Sequence, residues 1–149
     1  MSAKSEGYIV KEFSHPEGYP VVIFLDAFQD QNHLFQYFEL HRMIQAAGSI
    51  SQGLIREECG HYLVWFDEAG ATERCSVKAE TDLYTALLKM VRIQPHNTRI
   101  NGRERYEMLY GNASFIRFLT IDMAGVISRD DEVVCRLSDE EEESGISHI

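Results

Sequence analysis

The residues best equipped for chemistry lie in one basic stretch. Lys89, Arg92, Arg99, Arg103, Arg105 and Arg117 are six of the chain's 14 lysines and arginines, and only Glu104 and Glu107 oppose them in that interval. A guanidinium fork matches two oxygens of a phosphate or carboxylate at once. Read as a strand, the segment puts Arg103, Arg105 and Glu107 on one face and turns Tyr106 to the other. Arg92, Arg99, Arg103, Arg105 and Arg117 thus form a candidate anion site, for a small phosphate-bearing ligand or an acidic partner surface. The competing reading is a solvated strand face whose arginines pair with Glu104, Glu107 and acidic loops. No glycine-rich phosphate loop, RNA-recognition motif or helix-turn-helix signature accompanies the stretch, which argues against direct nucleic-acid binding.

Proton transfer needs a carboxylate or imidazole, and Asp26, Asp122 and His41 are the candidates. Asp26 and Asp122 each close an apolar, strand-like run, and carboxylates at strand ends line sites in many α/β enzymes. Either could instead cap a turn or pair with an arginine. His33, Tyr37 and His41 recur every four residues, but histidines eight apart on a helix stand roughly 12 Å apart, too far to share one metal. The segment His33-Leu34-Phe35-Gln36-Tyr37 also lacks the His-Glu-x-x-His pattern of zinc peptidases. In Cys59-Gly60-His61 a thiol stands near an imidazole, yet Glu57 and Glu58 just before it would make the thiol less reactive. The expectation is therefore no metal and no cofactor.

Composition narrows the class. The chain has 149 residues, 44% hydrophobic and 26% charged, enough apolar material for a core without staples. Three cysteines, an odd number at wide spacing, fit reduced thiols in the cytoplasm better than a disulfide framework. The longest apolar run, Val21 to Leu25, is far too short to span a bilayer, and residues 1–7 hold no apolar segment that would serve as a signal peptide. Of the net charge of −10, five units come from the block Asp139 to Glu143. Residues 138–149 read as a disordered acidic tail, either solubilising the protein or steering a basic partner towards it.

These groups must be positioned by the elements between residues 8 and 137, residues 1–7 reading as frayed. Tyr8 to Phe13 and Pro20 to Phe28 read as strands, the second apolar on both faces. A helix follows from an Asp30 cap to about Ala47, stopped by Gly48. Strands at about 52–59, 61–67 and 72–79 read as an antiparallel meander, and a helix from Thr81 or Asp82 to Ile93 ends before Pro95. Asn101-Gly102 reads as a hairpin turn between two short strands. Phe115 to Asp122 and a last hairpin, Val126–Ser128 with Val133–Leu137, complete the set. The expected fold is α+β, a mainly antiparallel sheet with two helices packed on one face.

Without a catalytic motif, the leading expectation is a non-enzymatic protein-binding module, a regulator, inhibitor or adaptor, acting through a charged surface. The alternative is a small enzyme or ligand-binding domain whose anionic ligand is gripped by Arg99, Arg103 and Arg105. A homodimer formed through an exposed strand edge is a third reading.

Overall fold

The computed structural model describes residues 18–29, 36–67, 70–111 and 117–137. Six strands and three helices are present among them: β1 (Val21–Asp26), α1 (Gln36–Arg56), β2 (His61–Phe66), β3 (Thr72–Val77), α2 (Glu80–Met90), α3 (Gly102–Tyr110), β4 (Arg117–Asp122), β5 (Val126–Arg129) and β6 (Glu132–Arg136). The strands form one sheet in the order β3-β2-β1-β4-β5-β6. β1 pairs parallel with both β2 and β4, while the three outer pairings are antiparallel. The fold is α+β, but its sheet is mixed rather than mainly antiparallel, and it carries three helices rather than two. The strand expected at Tyr8 to Phe13, the Asp30 cap, His33 and the acidic tail lie outside the described residues.

Alternation along the central strands explains why both sheet faces are covered. Ile23, Leu25, Leu63, Trp65 and Ile121 point to one side, where Leu40, Met43 and Ala47 of α1 and Leu83, Ala86 and Met90 of α2 close over them. Val22, Phe24, Tyr62, Val64, Phe66 and Phe118 point to the other, against Tyr106 of α3. Two helices therefore share one face, as expected, and the third covers the opposite face.

Three expectations fail for identifiable reasons. Gly48 does not end α1. A Cβ there would sit 3.8 Å from Leu87, so this glycine lies where α1 approaches α2, and the helical period continues through buried Ser51. The end comes at Glu58, which takes the left-handed conformation (φ 59°) that glycine usually supplies. The Glu58 N–H bonds the Ile55 carbonyl and the Cys59 N–H the Leu54 carbonyl, closing the helix with paired end bonds. Because 52–56 is helix rather than strand, β1-α1-β2 is a strand–helix–strand crossover, which makes β1 and β2 parallel. Asn101-Gly102 is not a hairpin either: the Asn101 side chain accepts from the Glu104 N–H at 3.0 Å and caps α3.

His61 shows how the connection after α1 is locked. Its ring is fully buried, with Nδ1 3.0 Å from the Cys59 carbonyl and Nε2 2.6 Å from Ser51 Oγ. A carbonyl only accepts, so Nδ1–H donates to it, and in the neutral ring Nε2 accepts from the serine hydroxyl. Burial lowers the His61 pKa, although the Cys59 carbonyl works the other way. Above the unfolded value near 6.5 both states are neutral and the contribution is intact. As pH falls below it, the unfolded chain takes up a proton that the folded ring resists, and stability declines. Urea unfolding of His61→Gln between pH 7 and pH 5 should therefore show a shallower loss than wild type. An identical slope would mean His61 does not titrate this way.

Candidate functional site

The two aspartates singled out by sequence come together. β1 and β4 run parallel in a register that sets Asp26 opposite Asp122 at their carboxyl ends. From β1 the chain crosses to β2 on one side and returns to β4 on the other, so these ends flank a topological switch point, where open α/β sheets place ligands. Each carboxylate also serves the backbone. Asp26 Oδ1 accepts from the Phe28 N–H at 3.2 Å. Asp122 Oδ1 accepts from the N–H groups of Ala124 (3.0 Å) and Val126 (2.9 Å), shaping the tight turn into β5.

A short bridge adds two more groups. The His96 N–H bonds the Ala27 carbonyl and the Gln29 N–H the His96 carbonyl, pairing residue 96 with Phe28 just beyond β1. Arg99 follows, its guanidinium 4.0 Å from the centre of the Phe28 ring. Burial raises the Asp26 pKa. The Phe28 N–H and the charge of His96 oppose this, Asp122 adds to it, and Arg99 opposes it. His41, exposed on α1, is not among the charges acting on Asp26.

A raised carboxyl pKa means the folded protein holds its proton more tightly than the unfolded chain. Stability is thus lost as pH rises from the unfolded value near 3.8 through the folded one, and ionised Asp26 is a liability at neutral pH. Asp26→Asn keeps the Oδ1 acceptor and removes the charge. It should raise the thermal midpoint at pH 7 by roughly 2–4 °C, with the gain shrinking towards pH 4. A lower midpoint would show that the charge supports the fold.

The remaining arginines do not converge on this place. Arg103 donates to Glu107 (3.2 Å) and Asp130 (3.0 Å) and lies over Phe118. Arg117 approaches Asp130 at 3.6 Å. Arg105 reaches the Gly70 carbonyl and lies over Phe66. On a helix, positions 103 and 105 diverge rather than share a face. Sequence reasoning misses Arg74, whose guanidinium is sandwiched between Tyr62 (4.1 Å) and Tyr110 (3.9 Å) while Nη1 donates to Tyr106 Oη at 3.0 Å. Most of these cations thus form a lid over the aromatic face of the sheet. The signal available in sequence is an arginine in a strand, with tyrosines elsewhere able to stack on it.

Cysteine chemistry finds no support in the geometry. All three thiols are free, the imidazole of His61 is held by Ser51 and the Cys59 carbonyl, and burial raises the Cys75 pKa. No cluster of three or more His, Cys, Asp or Glu side chains able to hold a metal occurs among the described residues.

Arg92 belongs to a different feature. An open groove of about 910 Å³ runs beside α2, lined by Trp65, Asp67, Glu73, Leu88, Lys89 and Arg92 among others. Beside it, Tyr84, Leu88 and Val91 are 66%, 57% and 68% exposed. Their spacing of four and three residues draws an apolar stripe along the outer side of α2, opposite its buried Leu83, Ala86 and Met90. The helix is well anchored for this display, since Asp82 Oδ2 accepts from the backbone N–H groups of Lys78 and Ala79 at its start. Other exposed apolar residues lie within five positions of segments outside the described residues: Tyr37 and Phe38 near 30–35, Met108, Leu109 and Tyr110 near 112–116, Val133 and Val134 near 138–149. The chain on both sides of α2 is described. No helix among the described residues is long and apolar enough to cross a membrane. No family model, curated protein or solved structure matches this chain.

Proposed function

We propose that the protein is a non-enzymatic protein-binding module that docks its partner on the outer surface of α2. The observation that carries this reading is the stripe Tyr84, Leu88 and Val91, more than half exposed at each position and flanked by the groove. Single exposed apolar side chains are ordinary, but three in a line on an anchored helix form a patch of the kind that partners cover. Tyrosine at one end is a typical interface anchor, and the charged rim of Asp67, Glu73, Lys89 and Arg92 supplies orientation. Leu88→Asp should leave the thermal midpoint nearly unchanged, because the side chain is mostly exposed, and weaken partner capture at least tenfold, about 1.4 kcal/mol. Equal capture by the folded variant would remove α2 from the interface.

A small-ligand reading has one specific support, the placement of Asp26, Asp122, His96 and Arg99 at the switch point. It stands second because two carboxylates against one guanidinium disfavour an anion, and because Arg103 and Arg105 are turned to other contacts. Calorimetric titration with pyrophosphate, comparing wild type with Arg99→Ala, tests it. Heat that disappears in the variant supports this reading, and no heat in wild type removes it.

A further inference from the structure

We infer that the partner of α2 is a second copy of this chain, paired antiparallel about a two-fold axis through the row Glu80, Tyr84, Leu88 and Arg92. The inference rests on the reading of α2 as a docking face and names its occupant.

Glu80, Tyr84 and Leu88 are spaced by four and form one ridge on α2, about 12 Å long, and Arg92 follows in the turn just past the helix end, where its N–H bonds the Lys89 carbonyl. All four are exposed, with Tyr84 at 66% and Leu88 at 57%. Neither Glu80 nor Arg92 takes part in an ion pair among the described residues. The row has an acidic end, an apolar middle and a basic end. Packing of two such four-residue ridges side by side is the commonest way for helices to cross in globular proteins. In a two-fold arrangement centred between Tyr84 and Leu88, each Tyr84 packs on Leu88 of the second copy. Each Glu80 then meets Arg92 of the second copy, so one surface satisfies itself at both ends, as an isologous interface requires. Val91 lies beside the ridge and widens the apolar strip.

The sheet edge at β6 offers a weaker self-pairing surface. β6 is exposed along its whole length, but its pairing with β5 shifts register between Ile127 and Ser128. Such a bulge twists an edge away from further strands.

The test is charge exchange read by sedimentation velocity over a concentration series, with circular dichroism confirming the fold of each variant. Wild type should show a concentration-dependent dimer. Glu80→Arg alone and Arg92→Glu alone place like charges opposite one another and should each weaken it at least tenfold. An equimolar mixture of those two variants should recover the dimer. The arginine introduced in one then faces the glutamate introduced in the other, and the native Arg92 and Glu80 meet at the opposite end. The double variant should recover it as well. Wild type that stays monomeric throughout, or a dimer indifferent to the single changes, or a mixture that fails to recover it, overturns the inference. Leu88→Asp separates this outcome from the broader reading. Loss of captured partners by that variant, with wild type monomeric, would keep α2 as a docking face for a different protein and remove only self-association.

Discussion

Phe24→Ala should destabilise the protein by about 3–5 kcal/mol, a large share of a typical domain's total stability. Phe24 is almost completely buried in the middle of the central strand. Its ring meets Phe66 edge-on at 5.1 Å and stacks with Phe118 at 6.0 Å. On its outer side it carries the first residue of α3, where a Cβ added to Gly102 would collide with the ring. Glycine is thus needed at 102 for close approach, not for a turn. Gly102→Ala alone should cost about 1–3 kcal/mol through overpacking, because Phe24 is hemmed in by its aromatic neighbours. The two changes should be strongly non-additive, since a truncated Phe24 leaves room for the methyl group. Urea unfolding of the two single variants and the double variant measures this coupling. Simple additivity would show that α3 does not rest on Phe24.

Arg74→Ala should cost about 2 kcal/mol. Two stacked contacts are lost, each worth about 0.5–1 kcal/mol at an exposed site, and the hydroxyl of buried Tyr106 loses its donor. Arg74 ties β3 to α3 across the aromatic face, so amide exchange in α3 should accelerate more than in α1 or α2. Arg74→Lys should recover only part of the stability, because an ammonium cannot stack as a plane between Tyr62 and Tyr110. Full recovery by lysine would reduce the arrangement to a charge effect.

How far the sequence discloses this structure can be judged from particular residues. The unbroken apolar runs of β1 and β2 correctly mark strands buried on both faces, and that same feature is the hallmark of parallel strands. Assigning Leu54 and Ile55 to a strand hides it. The helical period carries through them, and the stop signal rests on Glu58 rather than on a glycine. α2 is legible because Asp82, Leu83, Ala86, Leu87 and Pro95 all point the same way. α3 is not, because Asn-Gly serves a hairpin and a helix cap equally well, and only the Phe24 ring beneath Gly102 decides between them. For the site, the strand-end positions of Asp26 and Asp122 are readable, but their juxtaposition depends on strand order. The arginines are readable as a cluster in sequence and not in space. Their targets, Asp130, the Gly70 carbonyl and the aromatic rings, lie on other elements. The outer stripe of α2 is the plainest signal left unused, since Tyr84, Leu88 and Val91 break the polar face that a two-sided helix should present to water.

The docking reading and the self-association both depend on α2 being covered by a protein partner in the working state. A photo-crosslinking amino acid placed at position 88 in the native cell probes that cover at its centre, with the same group at exposed Gln52 of α1 as the control. Discrete, light-dependent adducts are expected from position 88 and none from position 52. Position 88 yielding no adducts, or the same adducts as position 52, would refute the assignment of α2 as the docking face.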